Sequence, residues 1–454
     1  MIILAEKREA IKKDKADSLK GSIIRETGSV CPICIQPVIA NIRLEATGIY
    51  MEKSCSQHGL FRFLLSVYSD DYQSLSDCYF YFISKPLKQR EYYVCASMQC
   101  NVSCPICFLD YCYSRKPLSI NNLKSIIRDK RSVKRFTFSH GEPTVNPRLV
   151  EMITLLKKSG KFVNIHTNGI KLSDYKYTVS LKQAGLDHVS LQFDSFNDEA
   201  YKILRGKKLL DVKMLALKNL KILGITVTLN VTIARGVNDD EWGNIFDYVI
   251  QNNFIKDISY ITYCHYSANQ SDRKCVMMPD DMILFLEQHS RGRILRNDII
   301  CFQKLFYCYL NVSKKRKCFN YYHYLVIRTS SGYQGVECYL KLKKIAKKID
   351  KCKEKKQKMT RKLLFRILLV SLKWSSLSLM PYGIFLLLRG GYPKKPGKFL
   401  TITLATICDP YKYDTKVAEN CGQGIVTQSK QHDSYGSFII EDMRHLKTSV
   451  LIDN

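Results

Sequence analysis

With 454 residues, 46% hydrophobic and 25% charged, the chain is ordinary for a globular protein with a sizeable core and more than one domain, which excludes a disordered or low-complexity protein. Its 71 Lys+Arg against 41 Asp+Glu leave a net charge of +30. Such a surface attracts anions (nucleic acid, phospholipid headgroups, an anionic cofactor), although solubility alone also accounts for it. Eighteen cysteines behind an N-terminus with no apolar signal stretch predict a reducing compartment, the cytoplasm, and metal ligation in place of disulfides.

Residues 1–28 read as a charged helical lead-in, and 29–83 as a small β-rich metal module built from cysteines, β-branched residues and a Thr47-Gly48 turn. After a linker near 84–90, strands and helices alternate to about 290. "REYYVC" is strand-like and "LSINNLKSIIRDK" helical; "VKRFTFS" and "PRLVEMITLLKKSG" repeat the pair. "KFVNIHT" with "DYKYTVSLKQAG", then "HVSLQFD" with "LLDVKMLALKNLKILG", and finally "ITVTLNVTIA" continue the series. Short Gly-ended connections between such units predict an α/β domain over 84–290, a partial (β/α)6 TIM-type barrel.

Beyond 290 the pattern degrades into an α+β C-terminal domain, 291–454, with a basic run at 341–362 of the kind that forms solvated helix faces. The most apolar stretch, 363–391, is broken by Arg366, Lys373 and Pro381, whereas a bilayer span needs roughly 20 nearly uninterrupted apolar residues. It predicts a core helix, or an interfacial helix whose basic flanks face anionic lipid at the cytoplasmic face.

"CNVSCPICF" sets Cys100, Cys104 and Cys107 at C-x3-C-x2-C spacing directly after the first barrel strand. Three thiolates can hold three irons of a [4Fe–4S] cluster and leave the fourth iron open to a small molecule. In a barrel this loop lies at the C-terminal face, where substrate chemistry is assembled. The alternative is a zinc knuckle completed by Cys95 or Cys112.

The cysteine run resembles the signature loop of the radical S-adenosylmethionine (SAM) superfamily. "FSHGEPT" (138–144) is similar to that family's Ser-Gly-Gly-Glu-Pro segment, with His140 where the first Gly is usual and Gly141 and Glu142 kept. "HTNG" (166–169), "SLQFDSFND" (190–198) and "TIARGVND" (232–239) follow in order at later strand ends. The resemblance implies Cys100, Cys104 and Cys107 as cluster ligands, and Ser139, Gly141, Glu142, Asn168, Gln192 and Asp194 around SAM, with Glu142 and Asp194 as direct contacts. It assigns no residue to the substrate.

"CPICIQPVIANIRLEATGIYMEKSCSQHG" (31–59) resembles the N-terminal module of archaeal radical SAM enzymes that include tetraether lipid synthase and a dihydropterin methyltransferase. Cys31, Cys34, Cys55 and His58 match its ligands in turn, with Ser56 in place of Pro. Two ligand pairs joined by a hairpin suit a mononuclear tetrahedral site, and zinc or iron would both fit. The cysteine-rich segments that hold auxiliary clusters in the family are reduced here to Cys78 and Cys95, and to Cys301, Cys308, Cys318, Cys338 and Cys421. One auxiliary cluster or free buried thiols are the two readings of that set.

The resemblance implies reductive cleavage of SAM to a 5′-deoxyadenosyl radical that abstracts hydrogen from an unactivated carbon, with an electron from a ferredoxin- or flavodoxin-type donor. The first expectation for the substrate is lipid, with carbon–carbon bond formation between isoprenoid chains and peripheral membrane contact. The second is methylation of a pterin or another small anionic molecule. A basic zinc-binding nucleic-acid protein without redox chemistry is the alternative of another class, and the cysteine motifs argue against it. The missing family cysteines leave a degenerate, inactive homologue as the remaining reading.

Overall fold

The computed structural model describes residues 21–83, 91–107, 118–129, 131–263, 276–315, 318–373, 398–407 and 409–421, with strands at 424–426 and 431–432. The lead-in to residue 20, the linker 84–90, Cys112 and residues 374–391 of the apolar stretch lie outside these.

Alternation in the sequence writes the barrel wall. In β9 (Thr226–Ile233, TVTLNVTI), Val227, Leu229, Val231 and Ile233 are fully buried on one face, and Thr226, Thr228, Asn230 and Thr232 are half-buried on the other. The apolar face joins the core cluster with Leu217 and Leu220 of the helix Leu210–Ile222 and Trp242, Ile245 and Phe246 of the helix Trp242–Gln251. Six strands run parallel in the order β5 (Glu91–Cys95), β6 (Arg135–Ser139), β7 (Phe162–Thr167), β8 (His188–Gln192), β9 and β10 (Ile255–Thr262). Helices Ile120–Asp129, Leu149–Lys158, Tyr175–Gln183, Asp198–Arg205, Leu210–Ile222 and Trp242–Gln251 supply the crossovers. This is the expected partial (β/α)6 barrel.

The sheet does not stop at those six. The C-terminal region adds β13 (Phe399–Ala405) parallel to β10, then the antiparallel hairpin β11 (Tyr321–Thr329) and β12 (Gly332–Gly335). At the opposite edge β14 (Gly424–Val426) pairs parallel with β5, and β15 (Gln431–His432) with β14. Both ends of the barrel sheet are therefore covered by strands that arrive late in the chain, which removes two exposed edges.

A separate antiparallel meander holds β1 (Ser22–Val30), β2 (Pro37–Glu45), β3 (Gly48–Cys55) and β4 (Gly59–Ser66). Its first strand corrects the expected lead-in, because residues 22–28 are strand and not helix. Ser22–Val30 is β-branched and carries Gly28, which weakens a helix, and its pairing to 37–44 buries Thr27, Ser29 and Val30. The meander is fastened to the segment 409–418. Arg25 Nη2 donates to Asp414 Oδ2 at 2.5 Å, Thr27 Oγ1 to Asp414 Oδ1 at 2.7 Å, Ser29 Oγ to Tyr413 O at 2.6 Å and Lys53 Nζ to Pro410 O at 2.6 Å.

The basic run forms the helix Leu342–Glu354, which buries Leu342, Ile345, Ala346, Ile349 and Cys352 at helical spacing and turns its lysines outward. The following helix, Arg361–Leu369, buries Leu364 and Ile367 and leaves Phe365, Leu369 and neighbouring Val370 exposed. Among the described residues no helix is long and apolar enough to cross a membrane.

Candidate cofactor site and metal centre

At the metal module the structure brings all four expected ligands together. The ligand atoms of Cys31, Cys34, Cys55 and His58 lie within 4.8 Å of one another, with His58 Nδ1 at 3.7 Å from Cys31 Sγ and 3.5 Å from Cys55 Sγ. Cys34 and Cys55 sulfurs are 3.9 Å apart. Local backbone makes this possible. After Cys31-Pro32-Ile33-Cys34 the chain turns back through Ile35 at φ 61°, and Ile35 N donates to Cys31 O at 2.9 Å. Ile33 N donates to Cys31 Sγ at 3.4 Å, the bond expected to support a ligating thiolate. The second pair sits in the β3–β4 turn, closed by Gly59 at φ 74°. The hydrogen bond from His58 foremost pulls the Cys55 thiol down to about 6, so the set is poised to bind a cation. Three sulfurs and one imidazole nitrogen are a zinc set.

Cys100, Cys104 and Cys107 lie on the loop after β5, at the C-terminal end of the barrel strands, exposed in the first case and half-buried in the other two. Cys107 N donates to Cys104 O at 3.0 Å. Cys95 is turned away from them, since its thiol is buried and directed at Met98 Sδ, 2.9 Å away. A knuckle completed by Cys95 is therefore not what this loop builds; Cys112 lies outside the described residues. The structure places the three thiols on one loop at the barrel mouth but, among the described residues, does not gather them into a set of ligand atoms within 4.8 Å of one another as it does at the metal module.

Behind that loop stands Glu142, buried and surrounded by donors. Its Oε1 accepts from Thr144 N at 3.1 Å, Thr144 Oγ1 at 2.6 Å and Thr167 Oγ1 at 2.6 Å, and its Oε2 accepts from Asn168 N at 2.7 Å. Oε2 keeps a second lone pair for one further donor. Glu142 N donates to Gln99 O at 2.8 Å, which ties the acid to the cysteine loop. Gly141 (φ 50°) makes this approach possible, because a Cβ there would lie 2.5 Å from Gln99 O and 2.7 Å from Ser97 O. His140, in the family's first Gly position, also takes the left-handed region at φ 69° and is buried. The turn thus keeps the backbone that glycine would favour while holding a bulky side chain.

Asn168 joins the acid to the cysteines: its Nδ2 is 2.7 Å from Asn101 Oδ1 and 3.8 Å from Cys100 Sγ. Asp194 is fully buried, and its carboxylate is engaged within the protein. Arg205 donates through Nε to Oδ2 at 2.7 Å and through Nη2 to Oδ1 at 3.0 Å, and Thr232 N donates to Oδ1 at 3.0 Å. Gln192 Nε2 also donates to Asp194 Oδ2, and Ser139 ends β6 opposite Cys95.

Sequence reading missed the segment that grips the cysteine loop from the other side. Arg205 lies beside Cys104; burial works against its charge, but Asp194 and then Cys104 raise its pKa overall. A Cβ on Gly206 would stand 3.3 Å from Ser103 O, and Lys207 Nζ donates to Asn101 O at 3.0 Å. The available signal was the left-handed Gly206 closing a helix whose last residue is Arg205.

Residues 96–249 match the Radical SAM superfamily. That stretch of the chain is a radical SAM domain. Residues 23–66 match the HMPTM N-terminal zinc ribbon domain, in agreement with the Cys31, Cys34, Cys55 and His58 set. The 7,8-dihydro-6-hydroxymethylpterin dimethyltransferase of Methanocaldococcus jannaschii is 31% identical over 310 residues, 60% of this chain and 60% of that protein. A probable GTP 3',8-cyclase of Methanothermobacter marburgensis is 31% identical over 165 residues, 35% of this chain and 53% of that one. The chain thus spans between about half and 60% of the length of these two curated relatives. Among solved structures, Streptococcus suis SuiB bound to precursor peptide SuiA is 17% identical with a TM-score of 0.39, over 45% of this chain and 46% of that one. A radical SAM domain implies a [4Fe–4S] cluster, SAM and an external reductant.

Proposed function

We propose that this chain is a radical SAM enzyme acting on a small polar heterocycle of the pterin class. The observation that carries the reading is the chemistry of the barrel's inner face. The strand faces turned away from the helices present Thr137, Asn164, Ser190, Thr228, Asn230 and Ser259, and neighbouring strands are stitched there by side-chain hydrogen bonds. Asn164 Nδ2 donates to Ser190 Oγ at 3.1 Å, and His188 bridges Thr226 and Thr228 at 2.7 and 2.8 Å. Thr137, Asn164 and Ser190 are already buried and bonded together, which leaves the half-buried Thr228, Asn230 and Ser259 to meet a ligand, and a polar heterocycle can hydrogen-bond with them where an alkyl chain cannot. The resemblance to a pterin dimethyltransferase supports the same choice.

Bound together, the cluster and SAM would supply a carbon-centred radical able to take hydrogen from an unactivated carbon. The chain's own residues have the remaining work. Cys100, Cys104 and Cys107 would hold the cluster, and Glu142 would orient the amino group of SAM through its remaining lone pair. Asn168 fixes the cysteine loop against that acid, and Gly141 lets the backbone close on it. Asp194 sets the guanidinium of Arg205 beside Cys104, where it would meet the anionic end of SAM. Gln192 and Ser139 complete the rim. The +30 charge suits an acidic ferredoxin- or flavodoxin-type donor.

The test is anaerobic reconstitution of the full chain, SAM and reductant, with 7,8-dihydro-6-hydroxymethylpterin or isoprenoid lipid offered separately. The expected result is 5′-deoxyadenosine and a methylated pterin. Joined isoprenoid chains would restore the lipid reading, and a protein that takes up no iron would end both.

Peripheral membrane contact is a second reading, favoured by exposed Phe365, Leu369 and Val370 among the lysines and arginines of 341–366. Cosedimentation with anionic but not neutral vesicles, lost in a Phe365→Ser, Leu369→Ser variant, checks it.

A further inference from the structure

Lys213 is out of place by every local rule. On the helix Leu210–Ile222 it occupies the buried stripe with Ala216, Leu217 and Leu220, where an apolar residue is expected, and it is 0% exposed. Burying an ammonium is costly unless oxygens compensate it. Two do. Nζ donates to Asn168 O at the end of β7 and to Gln192 Oε1 at the end of β8, the latter at 2.5 Å, and it lies 5.9 Å from the centre of the Tyr201 ring. Asn168 in turn reaches Cys100 Sγ and Asn101 Oδ1, and Gln192 reaches Asp194. The ammonium thus sits one residue behind the cysteine loop and joins two of the strand ends that surround it.

A purely structural need at this stripe would be met by methionine or leucine without the cost of a charge. We propose that Lys213 is a positioning residue for the cysteine loop and, when protonated, a buried positive charge that stabilises the reduced state of the cluster held there. The inference rests on the radical SAM reading above. A cluster with three thiolates is anionic, and one added electron makes it more so; a cation shielded from water favours that electron. The charged groups that face Lys213 are Asp194 and Arg205 on the β8 side, Glu142 after β6 and Cys104 of the loop. Burial foremost pushes the ammonium down to about 7, with Asp194, Glu142 and Cys104 opposing and Arg205 adding to the effect. As pH rises through that titration the charge is lost, and the cluster becomes harder to reduce.

The experiment is a potentiometric titration of the reconstituted full chain, read by electron paramagnetic resonance, for wild type, K213M, K213Q and K213R. One electron comes from the chemical reductant; where Lys213 starts neutral, one proton is taken from water onto Nζ. In K213M and K213Q reduction should become about tenfold less favourable, ~59 mV for a one-electron couple. The midpoint should also lose its fall with pH, and K213R should restore the wild-type value. If the neutral variants hold no cluster while K213R does, the positioning role stands. A K213M midpoint equal to wild type, or a K213R that fails as the neutral variants do, overturns the proposal. A wild-type chain without a cluster overturns the functional reading itself, so the two failures are told apart by the wild-type iron and sulfide content.

Discussion

Replacing Glu142 by glutamine isolates what the buried carboxylate does, since the change is nearly isosteric. Four donors converge on the carboxylate. The hydroxyls of Thr144 and Thr167 can rotate and accept from a new amide. The backbone N–H groups cannot, and they point at opposite oxygens: Thr144 N at Oε1 and Asn168 N at Oε2. Either orientation of the introduced side-chain amide therefore sets its NH2 group against one backbone N–H in a site that is 1% exposed. A buried donor without an acceptor costs roughly 1–3 kcal/mol, and the charge-assisted bonds to the others weaken as well. We expect a loss of about 2–4 kcal/mol, measured by denaturant unfolding of E142Q against wild type. Glu142→Asp should fail similarly by shortening the reach, and Thr167→Val should cost about 2 kcal/mol, because it removes the bond to Glu142 and also the acceptor of Gly169 N, which donates to Thr167 Oγ1 at 3.0 Å. An E142Q protein within about 0.5 kcal/mol of wild type would refute the reasoning, since it would mean that the four donors do not depend on the carboxylate.

Gly141→Ala should destabilise by about 2 kcal/mol or more and lower the yield of reconstituted cluster, because its Cβ meets Gln99 O and Ser97 O at a left-handed backbone position; unfolding and iron analysis check both. Cys34→Ser should abolish zinc binding by metal analysis and make 22–66 sensitive to protease, with 96–249 still folded. The pair His166 and His188 should make the protein acid-labile. Burial foremost holds the first down at about 4 and the second at about 3, below the unfolded value near 6.5, so between pH ~6.5 and ~4 the unfolded chain binds more protons and stability falls as pH falls. The slope should approach about 2.7 kcal/mol per pH unit near pH 5, and His188→Asn should roughly halve it; an unchanged slope would show that the charge is taken up elsewhere.

What the sequence settles by itself is whatever depends on near neighbours. Alternation at period two in "TVTLNVTI" and the apolar stripes of the crossover helices marked the barrel, because backbone geometry alone dictates which side chains share a face. Cys31 with Cys34 and Cys55 with His58 showed as ligand pairs, because a metal fixes spacing within a turn. Only tertiary structure decided the rest. That Ser22–Val30 is strand depended on the register offered by 37–44, and that β13 and β14 close the two barrel edges depended on partners more than 100 residues away. The same holds for Arg205 beside Cys104, for Asp194 turned to Arg205, and for Lys213 behind Asn168. A charged residue on a helix reads as solvent-facing by composition; whether it is buried, and against which oxygens, is fixed by how the elements pack, and no local pattern carries that information.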